Sequence, residues 1–266
     1  MSKTADDAAK TIKSFIPILE NAKTRKINEA DTRTIIHKFL SDVLGFDFIT
    51  DITKEHAIRG TFADFAIMID NEIKYFVEAK DVDTKLRDPH VRQVANYAIH
   101  KGVPWCVLTN GIVWRLYHIE FSQPVDVTPV FEIDLLALPH AESARLLWLL
   151  SKPSMKRGEI NGFWEKRRSL NDANLVRALF SPLALKSLRR ELRADTNVLI
   201  AIEDLAESLQ GLLKESARDL IEEQGIKIPS KTRKRRKKKE NSSPPTPSSE
   251  GATSASAAPS QDLAKS

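Results

Sequence analysis

The chain has 266 residues, 41% hydrophobic and 29% charged, enough for one domain of ordinary size with added elements or for two small ones. No apolar run approaches the length needed to span a bilayer. Cys106 is the single cysteine, which excludes an intramolecular disulfide framework and a cysteine-rich zinc site. The formal net charge of +5 is concentrated, because residues 231–240 (KTRKRRKKKE) carry +7 and the first 230 residues come to −1.

In chain order, MSKTADDAAK runs into no uninterrupted hydrophobic stretch of signal-peptide type, so a cytoplasmic location and no membrane partner are expected. Ile12, Phe15, Ile16 and Leu19 have helical spacing over 4–22, with Pro17 as a local irregularity. Asn28 is placed to cap a second helix, with Glu29 and Asp31 in its first turn, where the helix dipole favours acids. Its inward face is Ile35, Ile36, Phe39, Leu40, Val43 and Leu44, and Gly45 stops it. Strands are then predicted at Phe46–Thr50 (with a continuation to Ile58), Ala63–Ile69 and Ile73–Ala79. Asp88-Pro89 opens a helix to about His100, with Gly102 beyond its end. Val103–Leu108 and Ile112–Ile119 read as strands joined at Asn110-Gly111, the strongest short hairpin signal in the chain. A short strand at Val130–Leu135 completes a mixed α/β pattern of sheet and flanking helices.

After residue 140 the pattern is helical, with segments at Ala141–Leu150, Asn171–Phe180, Leu183–Leu192 and Asn197–Glu223. In the third, Ser181 caps and Pro182 takes the first position. In the last, Val198, Ile202, Leu205, Leu209, Leu213 and Leu220 form an apolar stripe. That stripe packs within the chain by default and against a second copy, as a homodimer, in the alternative. From residue 241 the composition is Ser, Pro, Ala and Thr, which predicts disorder. Three regions follow: 1–140 as an α/β domain, 141–228 as a helical region, and 229–266 as a basic block with a disordered tail.

The chemically informative stretch is residues 63–80, ADFAIMIDNEIKYFVEAK. If its two strands pair about Asp70-Asn71, Asp64 converges with Glu78 and Lys80 at one end of a sheet. Glu78 and Lys80, two apart, point to one face. Two carboxylates suit a Mg²⁺ or Mn²⁺ ion, with the Ala79 carbonyl as a third ligand, and such an ion activates water and neutralises a phosphate. Lys80 can then orient the water or offset phosphate charge. The ordinary alternative is a solvated Glu-x-Lys pair, but Phe76, Val77 and Ala79 set Glu78 in an apolar strand end.

These residues resemble the PD-(D/E)XK nuclease superfamily, whose core runs α-β-β-β-α-β. Asp64 matches the family's Asp, and Glu78-Ala79-Lys80 its E-x-K signature. Gln93-Val94-Ala95-Asn96-Tyr97 is similar to the Q-x-x-x-Y motif of the RecB-like branch. NEADTRTIIHKFLSDVLGFD and TNGIVWRLYHI resemble the N-terminal nuclease domain of type I restriction enzyme R subunits, over roughly the first 135 residues. The resemblance implies a restriction-endonuclease-like mixed sheet and Mg-dependent DNA endonuclease activity, in restriction or defence. It implies Asp64 and Glu78 as metal ligands with support from Glu29, Lys80 as catalytic, and Gln93 and Tyr97 beside the site. Two departures stand out: Ala63 replaces the proline common before the first acid, and no G-x-x-x-x-G-K-[ST] motif occurs in these 266 residues. Motor activity, and sequence specificity with it, would then come from a separate subunit.

Lys231, Arg233, Lys234, Arg235, Arg236, Lys237, Lys238 and Lys239 form a block that would hold DNA or RNA by counterion release, without sequence preference. Arg59 suits either a phosphate contact or a plain turn, whereas Arg92 and His100 are expected to face solvent. Trp105, Trp114 and Tyr117 are expected in the packing of the sheet. A rival of another class is a non-catalytic nucleic-acid-binding or scaffold protein that retains the nuclease fold.

Overall fold

A computed structural model describes residues 4–58 and 61–230, without the side chains of 54–62. The basic block and the tail expected to be disordered therefore lie outside the described residues, as does Arg59. No helix among the described residues is long and apolar enough to cross a membrane.

Two helices lead, α1 (Ala5–Arg25) and α2 (Glu29–Asp42). Asn28 caps α2 as its sequence predicts, its side chain accepting the Asp31 N–H at 2.9 Å. Strands β1 (Ile52–Ile58), β2 (Thr61–Ile69) and β3 (Glu72–Ala79) follow as an antiparallel meander. Asp70 and Asn71 both take positive φ (53° and 64°), the geometry of a two-residue hairpin turn whose twist matches the strands. Helix α3 (Asp88–Lys101) then crosses over to β4 (Trp105–Thr109), which lies parallel to β3. β5 (Val113–Glu120) and β6 (Asp126–Asp134) complete a six-stranded mixed sheet in the order β1-β2-β3-β4-β5-β6.

Both faces of β3 and β4 are buried, which is why these strands read as continuous apolar runs. Tyr75, Val77, Ala79, Trp105 and Val107 face a large core with α1 and α2, while Phe76, Cys106 and Leu108 face α3. The first core continues past the expected boundary at 140. Helices α4 (His140–Leu147), α5 (Lys152–Lys156) and α6 (Glu159–Ser169) follow, and Ala144, Leu147, Leu150, Ile160 and Trp164 join that core. The buried Tyr75 hydroxyl donates to the Leu150 carbonyl at 3.0 Å and ties this region to β3. A separate apolar cluster, with Val176, Phe180, Leu185, Leu205 and Ile221, joins α7 (Asp172–Leu179), α8 (Pro182–Thr196), α9 (Ile202–Leu212) and α10 (Glu215–Glu223).

The structure corrects three expectations. Phe46–Thr50 is not a strand: the Asp47 carboxylate accepts the Ile49 and Thr50 N–H groups, closing an Asx-type turn, and β1 begins only at Ile52. The single helix expected over Asn197–Glu223 is two, because the chain is extended at Leu213 and residues 198–201 lie outside both. Helices α5 and α6 were not foreseen, since 152–169 shows little apolar periodicity.

The turn at Asn110 also differs from the two-residue hairpin implied by Asn-Gly. Thr109 pairs with Trp114, leaving four residues in the loop. The Asn110 carboxamide oxygen accepts the Ile112 and Val113 N–H groups at 3.1 and 2.7 Å, and its nitrogen donates to the Val82 and Thr84 carbonyls at 3.3 and 3.1 Å. Gly111 (φ 85°) packs where a Cβ would stand 3.6 Å from Thr32, and its conformation suits glycine. One side chain thus fastens the β4–β5 turn to the segment leaving β3. Asn110→Ala should cost about 3 kcal/mol, since it strands several buried backbone groups; urea unfolding of the variant beside the parent measures this.

Candidate active site at the end of β3

The site forms where β3 leaves the sheet. The register pairs Phe65 with Val77, so the next residues outward are Asp64 and Glu78. Lys80 stays beside β4 because its N–H donates to the Thr109 carbonyl at 2.9 Å. Glu78 and Lys80 share a face, as their spacing requires, and the Lys80 ammonium donates to Glu78 Oε1 at 2.7 Å.

Asp64 is held by both oxygens. Its Oδ2 accepts the Ala79 N–H at 2.8 Å, and its Oδ1 accepts from the Arg33 guanidinium at 3.0 Å. Glu29, one turn before Arg33 on α2, approaches Lys80 at 4.0 Å. Asp64, Glu78, Lys80 and Glu29 are therefore brought together as the sequence suggests. Arg33 was missed. In sequence it is only the i+4 partner of Glu29, and nothing local distinguishes it from a surface helix pair.

Gln93 and Tyr97 lie on α3 and bond to each other at 3.2 Å. The Tyr97 ring packs on Phe76, two residues before Glu78 on the same face of β3, with ring centroids 6.5 Å apart. The pair therefore flanks the carboxylates without bonding to them. His90, one turn before Gln93, was assigned no role in the sequence. Burial lowers its pKa first, and the nearby positive charges of Lys80 and Arg87 add to this, so its imidazole stays neutral at pH 7.

Glu78 is 2% exposed, and its Oε2 is buried with no hydrogen-bond partner. Burial is the main reason its pKa rises to about 7, and the Asp64 charge adds to the rise against the opposing pull of Lys80. At Lys80 burial works to lower the pKa, but the bond to Glu78 and the charges of Glu78, Glu29 and Asp64 outweigh it, and the net shift is upward. Three carboxylates thus surround two cations, with one carboxylate oxygen unsatisfied. Asp64 and Glu78 fit a hard cation of the magnesium type, which is bound through one or two carboxylates and completes its shell with carbonyl and water oxygens. Among the described residues no group of three or more His, Cys, Asp or Glu side chains is arranged to hold a metal by itself.

Comparison of the chain with protein-family models, with curated proteins and with solved structures yields no match in any of the three.

A raised carboxyl pKa makes the folded state bind more protons than the unfolded chain between about pH 4.5 and 7, so Glu78 contributes least to instability below that window and most above it. Glu78→Gln removes this cost. In EDTA the variant should gain on the order of 2 kcal/mol over the parent between pH 5 and pH 8, from the linkage of about 1.4 kcal/mol per pKa unit discounted for the Lys80 pair. Chemical denaturation of both proteins at the two pH values tests the sign.

Proposed function

We propose that the chain is a Mg²⁺-dependent DNA endonuclease, active also with Mn²⁺, of the RecB-like PD-(D/E)XK group and related to the nuclease domain of type I restriction R subunits. The observation that carries this is the meeting of Asp64 with Glu78 and Lys80 at the end of β3, where one buried carboxylate oxygen is left without a donor. The order helix, three strands, helix, strand supports it, as does the parallel pairing of β3 with β4 across α3.

Asp64 and Glu78 would hold the ion, with Glu29 at the margin. Magnesium supplies Lewis acidity toward phosphate oxygens and makes water acidic enough to serve as a nucleophile at neutral pH. The protein's own part is positional and electrostatic. Arg33 and the Ala79 N–H fix the Asp64 carboxylate, so little reorganisation accompanies binding. Lys80 places a positive charge where charge builds on the phosphate, and Glu78 keeps it there. Gln93 and Tyr97 form a fixed polar pair on the α3 wall, able to meet the DNA strand beside the scissile bond.

Asp64→Ala, Glu78→Ala and Lys80→Ala should each lower cleavage of supercoiled plasmid by at least about 10³-fold while circular dichroism stays native, the scale seen when preorganised electrostatic groups are removed. EDTA should abolish cleavage by the parent, and Mn²⁺ should raise its melting temperature at pH 8 but not that of Glu78→Gln. Stabilisation by Mn²⁺ without cleavage would point to a missing partner subunit. Neither effect would leave a nucleic-acid-binding or scaffold role on the nuclease fold.

A further inference from the structure

Phosphodiester chemistry is served by one metal ion in some sites and by two in others. Paired ions stand about 3.5–4 Å apart, close enough for one carboxylate to give an oxygen to each. Asp64 is committed differently. Its Oδ2 accepts the Ala79 N–H at 2.8 Å, and its Oδ1 accepts from the Arg33 guanidinium at 3.0 Å. An ion approaching Oδ1 therefore meets a cation already in place. The Arg33 side chain is 33% exposed and that of Asp64 10%, so solvent and salt screen this pair less than one on the open surface.

The helix that carries Arg33 is anchored. Thr32 and Ile36, its neighbours on α2, are buried, and they lie 3.6 and 4.0 Å from where a Cβ on Gly111 would stand. The β4–β5 turn thus holds α2 against the end of the sheet, and Arg33 with it. Ligands for a second ion are scarce as well. Among the described residues no group of three His, Cys, Asp or Glu side chains converges on one ion.

Charge points the same way. Glu29, Asp64 and Glu78 face Arg33 and Lys80, which leaves the described cluster at −1 when all five are ionised. One divalent ion brings it to +1, the charge that a single phosphodiester neutralises. Two ions bring it to +3, which a single phosphodiester does not offset. Without the Arg33 charge the cluster stands at −2, and one ion with one phosphodiester leaves it negative, open to a second ion.

We propose that Arg33 takes the place of a second metal ion on Asp64, so that the site loads one divalent cation and one phosphodiester. Arg33 is then a positioning residue, which fixes Asp64 and supplies the charge that another ion would bring. The inference rests on the metal-dependent reading of this site and adds the number of ions and what sets it.

Mn²⁺ is titrated into the full chain at pH 8, and unbound ion is counted by electron paramagnetic resonance, with Asp64→Ala as the blank. The parent should take up one ion more than the blank and show no spin-coupled signal. Arg33→Gln should take up two, with the coupled signal of neighbouring ions. Arg33→Lys, which keeps the charge, should stay at one. The parent's own count tests the proposal even where a variant does not fold. Two ions in the parent, or one in a folded Arg33→Gln, would overturn the proposal and leave the nuclease reading standing. No uptake by the parent would remove the metal-dependent reading, and this proposal with it.

Discussion

Glu78 places an ionisable group almost out of reach of water, at the end of a strand covered on both faces. Desolvation penalises its charged form, and a second carboxylate beside it deepens the penalty. The surroundings offset this only in part. Lys80 donates to one oxygen of Glu78, and Arg33 and a backbone N–H hold Asp64, yet the other Glu78 oxygen has no partner. Buried polar atoms in folded proteins nearly always have one. A cluster short of positive charge, with an acceptor still open, is poised for a cation and an anionic ligand together.

The parallel pairing of β3 with β4 shapes what surrounds that cluster. Parallel neighbours cannot be joined by a tight turn, so the chain must cross the sheet, and it does so through α3. The crossover brings His90, Gln93 and Tyr97 to the flank of the carboxylates while leaving Arg92 and Asn96 on the opposite slope of the same helix. Because a single helix covers only part of a six-stranded sheet, a groove stays open over β5 and β6.

The helices after the sheet divide between two roles. α4, α5 and α6 close the first core, with the Tyr75 hydroxyl and the Lys152–Asp51 ion pair linking them to the sheet and the β1 approach. α7 to α10 build a smaller cluster among themselves. The apolar spacing along 198–220 resembles a continuous stripe, but the extended backbone at Leu213 divides it between two helices that pack on different neighbours.

Much of this was legible in the sequence, because its signals are local. Asn28 caps α2 and Ser181 caps α8 through side-chain bonds a few residues long, and the hairpin about Asp70-Asn71 follows from alternation on either side of a turn. The period of two along β3 placed Glu78 and Lys80 on one face, and the apolar neighbours of Glu78 implied its burial. The turn at Phe46–Thr50 escaped notice because its apolar residues imitate a strand, while the Asp47 carboxylate spends itself on local N–H groups. Arg33, His90 and the two bonds from the Asn110 side chain to the Val82 and Thr84 carbonyls left no mark in sequence. Each depends on groups from another element, 31 residues away for Arg33 and Asp64. Sequence by itself determined the elements and the residue types at the end of β3, since backbone periodicity and capping act over a few residues. Only the tertiary structure decided which charges face one another there, because Coulomb interactions and desolvation depend on distance in space and not on spacing along the chain.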